Sequence, residues 1–196
     1  MLKREDLIGK NAEELPGFLE ANIAEYAAVA ETYETEEEVL EKEKEIVKLM
    51  EENDSYLRTV TYKIPEGATF DGQLFGKKVL CEYIVDFLNT QELEWSYSLG
   101  MFELVKLWKT KDLEEINYHA FDSTLRILGQ CKYRGYDAWR KILAVNEFLK
   151  QCHDDYVRDT SYMLYLSQLH NKLIDALKKF NPEVDTQENS EENQPA

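Results

Sequence analysis

Apolar residues recur at helical spacing along most of this chain. From Leu15 to Tyr33 the positions Leu19, Ile23, Tyr26, Ala30 and Tyr33 form one stripe of an amphipathic helix, and Pro16 is tolerated in its first turn. Thr35 and Glu38 make a capping-box pair for a second helix running to about Glu52, with the thin stripe Val39, Leu40, Ile46, Val47 and Met50 and a solvated face over Glu41 to Glu45. Asn53, Asp54 and Ser55 read as its end. The period then changes. Val60, Tyr62 and Ile64 alternate with Thr59, Thr61 and Lys63, as in a half-buried strand, and Pro65-Glu66-Gly67 supplies a turn after which Ala68 to Phe70 returns as a partner.

Helical spacing resumes after Asp71-Gly72, with Leu80, Ile84 and Phe87 on one line of a helix over Leu74 to Leu88. The stretch Gln91 to Lys109 is apolar on two sides: Leu93, Tyr97, Met101, Leu104 and Trp108 on one, Trp95, Leu99 and Phe102 on the other. A helix of that kind needs neighbours on both sides, which predicts a central position. Residues 93–101 also alternate as a strand would, but the Asn89–Glu92 capping pair and the spacing from Met101 onward favour helix. Asp112 with Glu115 predicts the start of a further helix that Gly129 terminates. Asp137 opens another through Ala138, Ile142, Val145, Leu149 and Cys152, and the last sets Tyr162, Leu166, Leu169, Leu173, Ala176 and Phe180 in the same rhythm. The expected fold is mainly α, a helical bundle of about five to seven helices with a small β-hairpin near residues 56–70.

Composition adds boundaries to this picture. With 196 residues, 43% of them hydrophobic, the chain can bury one sizeable core with little room for a second. The formal charge of −16 is unevenly placed: residues 1–55 hold 6 basic and 17 acidic side chains, residues 181–196 none and 5, and the stretch between is neutral. The expected organisation is an acidic arm of two helices over 1–55, a bundle core over 56–180 and a disordered acidic tail over 181–196, which has almost no apolar residues to offset its ordering entropy. No stretch approaches the roughly 20 apolar residues of a membrane span. The opening residues contain no apolar segment of the secretory type. Cys81, Cys131 and Cys152 are odd in number and lack metal-ligand spacing. These features place the chain in the cytoplasm, or in a particle assembled inside a cell.

The most site-like stretch is 126–141, where Arg126, Lys132, Arg134, Arg140 and Lys141 are interleaved with Tyr133, Tyr136 and Trp139. Such a mixture suits a protein–protein hot spot, and Lys132, Tyr133, Arg134, Tyr136 and Arg140 are the expected contact residues. The same residues could stack on bases and neutralise phosphates, a reading that an acidic chain disfavours. A second constellation, His119, the pair His153-Asp154, and Asp175, is similar in order to the metal-binding set of HD-type phosphohydrolases, although Asp155-Tyr156 follow the pair where that family has small apolar residues. His170, beside the last apolar stripe, reads as a satisfied half-buried histidine. Phosphate loops, His-Glu-x-x-His, Glu-x-x-His and Gly-x-Ser-x-Gly are all missing from the sequence, and nothing in it calls for a cofactor. The expected role is therefore non-catalytic: a protein interaction or assembly subunit, a class that includes structural components of virions and acidic adaptors or inhibitors. An HD-like phosphohydrolase and a nucleic-acid binder stand as alternatives.

Overall fold

The computed structural model describes residues 1–92 and 95–180, with Trp95 and Ser96 described by their backbone alone. The expected tail and Leu93 lie outside the described residues. The fold is mainly α, 69% helical, with seven helices and two small two-stranded antiparallel sheets among the described residues. The chain divides by contact into two units, one of residues 1–55 with 158 onward, the other Tyr56–Val157.

The first unit contains a short 3₁₀ turn, Arg4–Leu7, the helix α1 (Leu15–Ala30), nearly all of α2 (Glu36–Leu57) and most of α7 (His153–Lys178). Pro16 sits in the first turn of α1. The capping box before α2 is formed as its sequence indicates: the Glu38 amide donates to Thr35 Oγ1 at 3.3 Å and the Thr35 amide donates back to Glu38 Oε2 at 3.2 Å. However, α2 does not stop at Asn53. That residue is only 4% exposed and its side-chain amide donates to Met163 Sδ, so a packed position inside the helix overrides the residue's preference for turns. His170 is half-buried and pairs with Glu43 at 3.2 Å, the satisfied state expected of it.

The second unit holds β1 (Thr61–Lys63), β2 (Gly67–Phe70), β3 (Gln73–Gly76), α3 (Lys77–Asn89), α4 (Trp95–Trp108), β4 (Glu115–Asn117), α5 (Tyr118–Gln130) and α6 (Tyr136–Lys150). The expected strands exist but pair differently. Ala68–Phe70 does not return to β1; β2 pairs with β3 in a hairpin closed by Asp71 and Gly72, at φ +50° and +69°. Asp-Gly is the dipeptide that a tight hairpin turn with two positive φ angles favours, which takes Leu74 out of the following helix and leaves it 78% exposed on β3. β1 pairs instead with β4, Tyr62 opposite Ile116, both nearly fully buried. Residues 115–117 are consequently strand rather than helix, and α5 is capped by Asn117, whose side chain accepts from the Ala120 amide at 2.9 Å, not by Asp112. Gly129 lies within α5 and does not terminate it.

The core of this unit gathers Tyr62, Leu80, Ile84, Leu88, Trp108, Phe121, Val145 and Phe148 from both sheets' neighbourhood and from α3 to α6. Tyr62, Phe121 and Tyr156 form a ring cluster with centroids 5.2 to 6.2 Å apart, separations at which aromatic pairs attract. The helical reading of 95–108 holds, but its two-sided burial does not. Leu104 and Trp108 are buried, whereas Tyr97, Leu99 and Phe102 are 64%, 72% and 63% exposed. Within the described chain α4 packs by one edge.

Candidate interaction surface

Gly135, at φ +92°, turns the chain sharply into α6. Only glycine adopts that conformation without strain, so the first turn of α6 is aimed by a residue with no side chain of its own. Tyr136, Trp139, Arg140 and Leu143 follow at helical intervals and share one face. Together with Phe70 and Asp71 at the tip of the β2–β3 hairpin, they line a concavity of about 450 Å³. Tyr136 is 73% exposed and Trp139 59%.

Arg140 is half-buried and held in place. Its guanidinium donates to Gln73 Oε1 and lies over the Phe75 ring, 5.7 Å from the centroid. Its Nε is buried without a hydrogen-bond partner among the described residues. The next residue, Lys141, lies over the Tyr83 ring at 5.1 Å.

The expected contact residues therefore separate into three groups. Tyr136 and Arg140 converge on the concavity, and Lys132 and Arg134 are exposed on the segment before it. Tyr133 belongs with the core: its ring meets Phe87 edge-on at 5.2 Å, its hydroxyl donates to the Leu128 carbonyl at 2.9 Å, and burial pushes its phenol well above the usual range. Trp139, Leu143, Phe70 and Asp71 were not singled out as contact residues. The first two share the i, i+3, i+4, i+7 series from Tyr136; the hairpin residues are brought there only by the β2–β3 turn. Arg126 stands apart, tied to Asp122 at 2.7 Å on α5.

The HD-like set is not assembled. Among the described residues, no three His, Cys, Asp or Glu side chains are grouped so as to hold a metal ion. Asp154 and Asp175 lie on the same continuous helix, α7, separated along it by about 30 Å of rise, and Asp175 instead pairs with Lys178 at 3.3 Å. His119 is exposed with its ring edge-on to Tyr118. His153 and Asp154 begin α7, where negative charge favours a helix N-terminus.

The cysteines offer a direct check on the burial described here. Burial pushes the Cys81 thiol up from 9.0 to about 11, and Cys152 is buried with its Sγ 3.0 Å from the Lys63 carbonyl, whereas Cys131 is half-exposed. At pH near 8 the thiolate fraction of Cys81 is on the order of a hundredfold below that of the same thiol unfolded. Titration of the native protein with a chromogenic disulfide should show Cys131 reacting first and Cys81 only after denaturant is added. Because the folded state resists ionising Cys81, the stability it contributes is complete below pH 9 and is lost as pH rises through 11. Rapid, equal reaction of all thiols would contradict the core assignment.

A second opening lies between α4 and α5, a groove of about 1020 Å³ with Leu104, Leu107, Ala120 and Ile127 among the residues that line it. No helix among the described residues is long and apolar enough to cross a membrane. Comparison with known proteins finds no matching family model, no matching curated protein and no matching solved structure.

Proposed function

We propose that this protein is a non-catalytic interaction subunit of a larger assembly, which engages a partner protein through the concavity at the start of α6. The observation that carries this reading is the exposure of Tyr136 and Trp139 on one helix face beside the anchored guanidinium of Arg140. Trp, Tyr and Arg are the residue types that dominate binding energy at protein interfaces: Trp and Tyr bring a large contact area at low conformational cost, and Arg brings several hydrogen-bond donors on a planar group. Arg140 is held by Gln73 and Phe75 before any partner arrives, so little ordering remains to be done on binding.

The test compares the wild-type chain with the double variant Tyr136→Ala/Trp139→Ala, tagged and expressed in the cells that make the protein. A partner recovered with the wild type, then purified and titrated by calorimetry, should bind the double variant at least about a hundredfold more weakly, since each truncated hot-spot aromatic costs roughly 1–2 kcal/mol or more. The thermal midpoint of the variant should stay within about 2 °C of wild type, because both rings are largely exposed. Tyr133→Ala serves as the contrast: it removes a packed ring and a hydrogen bond and should lower stability by about 2–4 kcal/mol. Unchanged affinity in the double variant would refute the site.

A further inference from the structure

The charges beside the α6 concavity are uncompensated within the chain. Lys132, Arg134, Arg140 and Lys141 form no ion pair with a carboxylate among the described residues, whereas in the same unit Lys77, Arg126 and Lys150 each reach one, at 3.1, 2.7 and 2.7 Å. Lys132 and Arg134 are exposed. Arg140 and Lys141 lie instead over the rings of Phe75 and Tyr83, and Arg140 donates to the neutral side-chain carbonyl of Gln73. Contacts of that kind hold a cation in place without cancelling its charge. The acidic groups at this corner are Asp71, at the hairpin tip, and Asp137, in the first turn of α6. Four basic and two acidic groups leave an excess of two positive charges, on a chain whose formal charge is −16.

The surface between these charges is of a different character. Phe70, Trp139 and Leu143 wall the concavity, and its volume of about 450 Å³ has room for an apolar side chain. An occupant that suits both features carries carboxylates beside an apolar group. A polynucleotide suits them poorly, because it brings a phosphate at every residue and needs a long basic track, while this chain as a whole repels a polyanion.

We infer that the contact element of the partner is an acidic peptide segment, whose apolar side chain enters the concavity beside Trp139 and Leu143 while its carboxylates pair with Lys132, Arg134 and Arg140. This inference rests on the function proposed above and names the chemistry of the partner. The division of labour follows from the setting. Contact with the two large rings supplies most of the affinity, and the exposed charges select the sign of the peptide and speed its encounter.

The experiment is selection of a random peptide library displayed on phage against the immobilised full chain, followed by fluorescence anisotropy with the most enriched peptide, synthesised and labelled with fluorescein. Enriched peptides should carry Asp or Glu on either side of an apolar residue. Binding should weaken at least about tenfold in the double variant Lys132→Glu/Arg134→Glu, and by roughly threefold to tenfold between about 0.05 and 0.5 M NaCl, as a few screened surface pairs require. Circular dichroism melting checks that the variant is folded. Enrichment of neutral or basic peptides overturns the inference, as does an acidic peptide that binds the Lys132→Glu/Arg134→Glu variant like wild type. Single-stranded oligothymidylate that binds more tightly than the peptide and displaces it would make nucleic acid the ligand and overturn it too. Neutral peptides whose binding is lost in Tyr136→Ala/Trp139→Ala leave the proposed function standing and remove only its acidic partner. A selection that enriches nothing also ends the inference, and the proposed function is then decided by its own calorimetry with the recovered partner.

Discussion

Trp108→Ala should lower the stability of this protein by about 3–5 kcal/mol, to be read by urea unfolding followed by far-UV circular dichroism. Trp108 is 1% exposed and among the largest fully buried side chains in the chain. Its indole N–H donates to Thr124 Oγ1 at 3.1 Å, and the Thr124 hydroxyl in turn donates to the Ala120 carbonyl at 2.7 Å. Truncation opens a cavity against the surrounding core and also removes the indole donor from which Thr124, itself fully buried, accepts. Both terms act in the same direction. For a chain of this length about 2–4 °C of thermal midpoint is lost per kcal/mol, so the midpoint should fall by roughly 10 °C or more. Thr124→Val separates the contributions: it keeps the volume, leaves the indole N–H unpaired, and should cost about 1–3 kcal/mol. A loss below about 1 kcal/mol for Trp108→Ala would mean that α4 is not anchored through this residue.

Gly67→Ala is the second large effect, and it comes from a single methyl group. Gly67 pairs with Gly76 at the start of the β2–β3 hairpin, and a Cβ built on it would fall inside contact distance of the Phe75 carbonyl oxygen. The obstacle is backbone, so no side-chain rotation relieves it. Either the strands separate or β2 shifts, and β2 also packs on α6, with Gln151 donating to the Gly67 carbonyl at 2.9 Å. The expected cost is about 3 kcal/mol, the upper part of the range for overpacking. The hairpin tip also lines the α6 concavity, so partner binding should weaken along with stability. Gly129→Ala tests the logic by its opposite sign: Gly129 is exposed in α5 with nothing within 4 Å of a new Cβ, and alanine there should stabilise by about 0.5–1 kcal/mol. Equal effects at the two glycines would count against the described strand pairing.

Of the candidate site, part was legible and part was not. Tyr136 and Arg140 stand in a short stretch where basic and aromatic residues alternate, and both reach the concavity. Tyr133 carries the same local signal and turns inward, because Phe87 and the Leu128 carbonyl are there to receive it. Nothing near it in the chain announces either partner. The metal-like order of His119, His153, Asp154 and Asp175 failed for a related reason: order along a chain sets no distance, and one unbroken helix separates two of its members by about 30 Å.

Most of the helices, though neither β3 nor β4, were determined locally. Spacing at 3.6 residues, the Thr35–Glu38 box and Pro16 at a helix start are short-range devices whose energetics need only a few neighbouring residues, and the structure places them as the sequence indicates. What only the tertiary structure decided is which of these elements meet. β1 and β4 are more than 50 residues apart, and each is too short to hold alone; Tyr62 and Ile116 are buried because the pairing also closes a core over Phe121. The same global competition left one face of α4 in water. The sequence made that helix apolar on two sides, and among the described residues Leu104 and Trp108 are buried while Leu99 and Phe102 stay exposed, since burial depends on the surface the rest of the fold can bring to a side chain.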